Sequence, residues 1–443
     1  MRYRERLSRA VALLALTSLA AVGALALVVA QPADAAWTPY INVSKQQDVE
    51  HPIVEMDPAG DAVFLWRQGF DSGAPGIYTR VRNADGSLSP IQRISIQSGE
   101  YDLAVDADGD AYYVWTNFDD SVEHLQTRVR FADGTLSPVQ TLKNTGRGEF
   151  VSGTVGVNAS GTAAFAWYYQ RSDEELPLIQ ARSRSPSGGL SPIRTVAQVP
   201  IYSYPSMGVD AAGEATLLWE GRISEHSAEL TRVLRSDGTL SPVVRVSRMG
   251  YGPQGGQVAV TPAGRAVFRW DEYKAGKVTA LARSRDPDGT LQPPQVLAAF
   301  DSDQGSPLPA AGLAIAPDGR SVVSWQRGGA LQARTRAFEG TLGPVKTITP
   351  GLVRDSDLGI DSQGNMVFAW TLWPPHCCPS DGFKSRVFVR SEDADGTLGP
   401  TRALSLAGYN AYWPDLAVIP AGDAAVTWQE GIGGFAIQAA FGP

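Results

Sequence analysis

A seven-residue segment, Gly60 to Trp66, reads Gly-Asp-Ala-Val-Phe-Leu-Trp, and close variants of it return until near the C-terminus. The variants end at Trp115, Trp167, Trp219, Trp270, Trp325, Trp370 and Trp428. Each Trp follows a Gly by six residues, and an Ala, Ser or Met stands two residues past that Gly. The Trp-to-Trp spacings are 49, 52, 52, 51, 55, 45 and 58, the length of a propeller blade. A chain of 443 residues would ordinarily suggest two or three domains, but units that stack on one another share a continuous core, so one domain is expected.

Each unit reads as a four-stranded meander, A to D. An alternating run such as Val54-Glu55-Met56 forms strand A, a tight turn follows, and the Gly-x-Ala segment becomes strand B. A variable loop leads to an Arg-bearing strand C. A second turn, Ala84-Asp85-Gly86 in the first unit, leads to strand D, Leu88-Ser-Pro-Ile-Gln-Arg-Ile-Ser95. Asp-Gly pairs supply the positive φ that short hairpins require, and no helix-period segment appears after residue 35. In strand A the apolar pairs, for example Leu103/Val105, Met207/Val209 and Leu358/Ile360, bracket a small residue in seven of eight units, as the crowded centre of a ring demands.

The last unit stops at Pro443 without a strand D, whereas Trp37-Thr-Pro-Tyr-Ile-Asn-Val-Ser44 is an unassigned segment that aligns residue for residue with Leu88 to Ser95. The expected fold is therefore all-β, an eight-bladed β-propeller of four-stranded antiparallel blades in which the N-terminal strand completes the last blade. A seven-bladed ring with an extra unit, or two smaller propellers, would leave that pairing unexplained.

Ahead of the repeat, Arg2, Arg4, Arg6 and Arg9 precede an uncharged apolar run from Ala10 to Ala30 and then Ala33-Asp34-Ala35, the form of a signal peptide over residues 1–35. The 21-residue run is long enough to span a bilayer, so an uncleaved anchor is the alternative. Cleavage leaves 36–443 as a secreted or cell-surface propeller with 34 basic against 44 acidic side chains, a net charge of −10. No basic run is present, which argues against nucleic acid and, after cleavage, against a membrane as partner. The two cysteines, Cys377 and Cys378, are adjacent and no disulfide framework exists; with His376 alone beside them they are too few for zinc. No cofactor or metal is expected, and a monomer is.

An Arg recurs at one position of strand C in seven units, Arg80, Arg128, Arg182, Arg232, Arg283, Arg334 and Arg390. A role repeated in seven blades belongs to the scaffold, with turn carboxylates such as Asp57 or Asp106, or an aromatic face, as expected partners. The eight Trp are assigned to packing for the same reason. The A-to-B and C-to-D turns are short and alike, so function is expected on the other face, where the D-to-A and B-to-C loops vary.

The D-to-A loops hold His51, Glu100, Tyr101, Tyr202, Tyr204, Tyr251, Asp355, Asp357, Tyr409, Tyr412, Trp413 and Asp415. Aromatic rings beside acids suit sugars, whose apolar faces stack on rings while their hydroxyls bond to carboxylates. The candidate ligand-binding set is His51, Glu100, Tyr101, Tyr204, Asp355, Asp357, Tyr412, Trp413 and Asp415, for a glycan or protein ligand. The B-to-C loops add Asp119, Asp120, Glu123 and His124, the stretch from Tyr168 to Glu175, and the long insertion Thr371 to Phe383.

Enzyme signals are few. Asp102, Asp357 and Asp415 occupy equivalent strand A positions near the axis, and paired carboxylates are what glycoside hydrolysis requires. A glycan-active hydrolase or lyase using those acids is the alternative to a non-enzymatic binding protein. No Gly-x-Ser-x-Gly is present, and Asp106-Ala-Asp108-Gly-Asp110 is explained by turn chemistry rather than calcium.

The pattern as a whole resembles secreted repeat propellers of the broad BNR/sialidase-like kind, in which blades of this length carry an Asp-Gly turn between the third and fourth strands. The likeness is architectural. The sialidase turn motif Ser-x-Asp-x-Gly-x-Thr-Trp is not matched, since Asp and Gly adjoin in Ala132-Asp133-Gly134-Thr135-Leu136, and no catalytic residue carries over.

Overall fold

The computed structural model describes residues 37–443 apart from 46–47, 70–72, 98, 120–121, 172–175, 201–202, 302–311, 374–383 and 432–433. The leader over 1–35, Tyr202, Asp120, Glu175 and the His376-Cys377-Cys378 group lie outside the described residues, as does the side chain of Asp119.

The described chain forms eight antiparallel sheets of four strands each. Blade 1 comprises β2 (Val49–Met56), β3 (Ala62–Gln68), β4 (Gly76–Arg82) and β5 (Gln92–Ser95). Blades 2 to 7 repeat this order over 101–147, 150–198, 206–245, 252–301, 312–349 and 353–403. Blade 8 consists of β30 (Asn410–Val418), β31 (Ala424–Gly431), β32 (Phe435–Gly442) and, as its outer strand, β1 (Ile41–Asn42).

The terminal strand takes the alignment predicted for it. Ile41 lies opposite Ala439 and Asn42 opposite Gln438. The amide of Thr38 donates to Phe441 O at 2.7 Å while the amide of Phe441 donates to Thr38 Oγ1 at 3.0 Å, the same exchange that Ser89 makes with Val81 in blade 1. Val43 is fully buried, and a cluster containing Val43, Val54, Phe64, Trp66, Ile437 and Phe441 seals the seam between blades 8 and 1.

Strand B is the buried spine of each blade. All positions of β3 are buried except half-buried Arg67, and the eight repeat Trp are at most 2% exposed. The small residues of strand A follow from close approach of the next blade. A Cβ on Gly208 would stand 2.7 Å from Val260 Cγ2, and one on Gly359 2.3 Å from Val418 Cγ2, well inside contact distance.

The recurring Arg belong to the scaffold, but their partners differ from those expected. Nε of Arg390 donates to Gly399 O at 2.7 Å in its own C-to-D turn, and Nη1 donates to Ile348 O at 2.8 Å on strand D of the preceding blade. Arg80 does the same with Ser89 O and Val43 O, Arg182 with Ser191 O and Leu142 O, and Arg334 with Gly343 O and Leu297 O. Asp57 instead accepts the amides of Ala59 and Asp61 within its own turn, both at 2.9 Å. The guanidinium thus bridges a carbonyl of its own C-to-D turn to one at the point where strand D of the preceding blade slips register with strand C, as at Ile348 between Thr347 and Thr349. Arg390→Met keeps the apolar stem and removes two charge-assisted bonds, so it should cost ~2 kcal/mol in urea unfolding; an unchanged midpoint would remove the bridging role.

Candidate functional site

Strand A opens on the variable face, and in four blades its first residues depart from regular pairing. The register with strand B shifts between Glu50 and Ile53, Gln254 and Gln257, Val353 and Ser356, and Tyr412 and Asp415. An extra residue in the strand bends it and re-aims its side chains. In blades 1 and 8 the bulge places His51 and Trp413 in the left-handed region, with φ of 52° and 50°. Each stands before a proline, Pro52 or Pro414, a context that disfavours helical backbone conformations. The two strained residues face one another across the seam, and their rings stack with centroids 4.0 Å apart and planes 24° from parallel.

Beside this pair lies a pocket of about 290 Å³ lined by His51, Pro52, Ile53, Arg67, Glu100, Tyr101, Asp355, Ser356, Trp413, Pro414 and Asp415. Six of the nine sequence candidates, His51, Glu100, Tyr101, Asp355, Trp413 and Asp415, are brought together here from blades 1, 2, 7 and 8. Tyr412 borders it through its ring contact with Trp413 at 6.2 Å. Asp357 lies beneath, within the axial acid group. Tyr204 does not join the site. It packs on Tyr168 at 5.4 Å, halfway round the ring from blade 8, and is 54% exposed. A larger groove of 740 Å³ lies on the opposite face among turn residues such as Ala263, Asp286 and Gly340. It is a seam between blades 5 and 6 in which Arg265 covers the Phe338 ring at 3.9 Å, and it repeats scaffold geometry.

Several polar groups of the pocket are already committed. Arg67 donates through Nε to Glu50 Oε1 at 3.0 Å, and its Nη2 lies 3.3 Å from His51 Nδ1. A guanidinium only donates, so Nδ1 accepts and the imidazole proton sits on Nε2. Burial, and then Arg67, lower the His51 pKa, so the ring is neutral at pH 7 and the nearby Glu50 is no ion-pair partner. The Tyr101 hydroxyl donates to the backbone carbonyls of Glu50 and His51, and burial raises its pKa well beyond the usual phenol value. By contrast, Asp355 Oδ2 and Ser356 Oγ are buried without a hydrogen-bond partner among the described residues. Burial raises the Asp355 pKa, with Arg354 opposing.

Below the pocket four carboxyls gather around the axis. Asp102, Asp357 and Asp415 each reach the strand A of the next blade. Asp102 Oδ2 accepts the amide of Val155 at 3.0 Å, Asp357 Oδ2 that of Leu416 at 2.9 Å, and Asp415 Oδ2 that of Val54 at 2.7 Å across the ring seam. Ser206 Oγ accepts from Val258 at the equivalent place in blade 4. These acids thus latch neighbouring blades. The fourth carboxyl, Glu55, makes no such bond. It is the one exception to the small-residue rule of strand A, which is the signal by which the sequence marks it.

The four acids are partly exposed, yet burial dominates their titration. Glu55 is pushed up to about 8 by burial, then by Asp102 and Asp357. Asp357 rises to about 6 by burial, against the amides that favour its charged form. Asp415 is raised well above its ordinary value by burial, then by Asp357, and Asp102 is raised by burial. Among the described residues, no group of three or more His, Cys, Asp or Glu has the arrangement of a metal site.

No family model and no curated protein matches this chain. Solved structures do. The chain is similar to puromycin hydrolase, with a TM-score of 0.51 and 14% identity over 89% of this chain and 61% of that one. The polysaccharide lyase Uly1 matches with a TM-score of 0.50 and 9% identity over 89% of this chain and 99% of that one. A leech intramolecular trans-sialidase matches with a TM-score of 0.39 and 9% identity over 90% of this chain and 92% of that one. At such identities the likeness is one of fold, so function must be read from the site itself.

Proposed function

We propose that this protein is an exported, non-enzymatic binding propeller that takes a glycan in the pocket at the seam of blades 8 and 1. The observation that carries the reading is the convergence of Trp413, His51 and Tyr101 with Glu100, Asp355 and Asp415 in one hollow. Its volume is at the lower end for ligand pockets, room for about one sugar ring. Rings offer an apolar wall to the C–H face of a sugar, and carboxylates accept its hydroxyls. The acid and base groups that catalysis would need are engaged elsewhere: Asp102, Asp357 and Asp415 hold backbone amides, the Tyr101 hydroxyl is tied to carbonyls, and His51 Nδ1 faces Arg67. Export rests on the leader-like segment over 1–35; among the described residues no helix is long and apolar enough to cross a membrane.

Trp413→Ala should abolish retention on any glycan the wild type binds on an array, whereas Tyr204→Ala, remote from the pocket, should leave it unchanged. Undiminished binding by a folded Trp413→Ala protein would sink this site.

A further inference from the structure

The charges around the pocket are one-sided. Glu100, Asp355 and Asp415 line it, with Asp102 and Asp357 beneath, while Glu55, pushed up to about 8 by burial, is mostly neutral near pH 7. Of the nearby cations, Arg67 is held by Glu50 at 2.8 Å, and Arg354 lies over the Trp373 ring at 4.4 Å. An incoming anion would meet a negative field with low-dielectric walls, whereas a cation would be drawn in. Asp355 Oδ2 and Ser356 Oγ, without a partner among the described residues, are both acceptors suited to an ammonium group. Trp413 and Tyr101 add ring faces that favour a cation.

We infer that the ligand is a cationic amino sugar, its ammonium seated on Asp355 and its ring against Trp413, and that acidic glycans are rejected. This rests on the binding reading above and names the ligand class for the same site. A lysine-rich peptide would share the charge but not the ring. The sugar is favoured because the pocket is short and walled by aromatic side chains, while an extended basic peptide would need a groove.

The test is calorimetric titration of the full chain with three tetrasaccharides of equal length: β-1,4-linked glucosamine, its N-acetylated form, and galacturonate, with pentalysine as the fourth probe. Glucosamine tetramer should bind about tenfold more tightly than the acetylated tetramer, weaken with added salt, and leave galacturonate without measurable binding. Asp355→Asn, nearly isosteric, should remove that preference, bringing the two tetramers to equal affinity. Trp413→Ala, checked by its thermal melt, should weaken both. Equal or tighter binding of the acetylated or acidic tetramer, a preference that survives Asp355→Asn, or pentalysine binding as tightly as glucosamine would overturn the inference while leaving a glycan site standing. Binding of every sugar unaffected by Trp413→Ala and by His51→Ala would overturn the site itself.

Discussion

Deleting residues 37–44 should cost the fold about 5 kcal/mol and make the protein associate. The segment contributes fully buried Val43, worth ~2 kcal/mol of apolar burial, and the Trp37 ring packed on Gly442. It also makes backbone bonds to β32 through Thr38 and Val43, at ~1 kcal/mol net each, and provides the carbonyl of Val43 to Arg80. Without it, β32 becomes an open edge in the last blade, and an unpaired edge recruits another strand. Urea unfolding and sedimentation would show a lowered midpoint and a concentration-dependent dimer. A synthetic peptide of residues 37–44, added in excess, should restore both by adding back the missing strand. An unchanged midpoint in the truncated protein would mean that the ring does not depend on this closure.

The second large effect has the opposite sign: Glu55→Gln should stabilise the protein at pH 8. Glu55 titrates near 8 in the fold, against an ordinary value of 4.5, because burial and the neighbouring Asp102 and Asp357 penalise its charge. Between those two values the native state holds more protons than the unfolded chain, so stability falls as pH rises through this window and is recovered below it. The partial exposure of Glu55 tempers the penalty, and the gain from the neutral amide should be ~2 kcal/mol at pH 8 and close to nothing near pH 4. The readout is the difference between variant and wild type in urea at pH 5 and pH 8. That difference cancels other groups, including turn acids such as Asp133 and Asp237, whose lowered pKa values work in the opposite direction. Equal stability of the two proteins at pH 8 would show that Glu55 carries no strained charge. The latch acids are not interchangeable with it, since removing Asp415 would also strip Val54 of its acceptor.

The number of blades, the order of strands, the closing segment and the two unlike faces were legible in the amino-acid sequence. These are local or periodic properties: a Trp every blade, an Asp-Gly turn at a constant offset, and a strand D motif out of place at the N-terminus. Repetition also separated Trp and Arg from functional candidates, because a residue present in nearly every blade serves what every blade shares. The partners of these residues, by contrast, follow from how the blades pack. The recurring Arg were expected on turn carboxylates or an aromatic face, yet they lie on backbone carbonyls of their own turn and of the preceding blade, since the stagger between blades depends on how whole sheets pack. His51 and Trp413 stack across the seam because each sits in a bulge, and an extra residue changes the face on which a side chain emerges. Tyr204 carries the same chemistry as its fellow candidates but stands on the wrong side of the ring. The acids of blades 1, 2, 7 and 8 share one electrostatic environment because ring closure makes neighbours of residues from opposite ends of the chain, a proximity that no spacing along the sequence encodes.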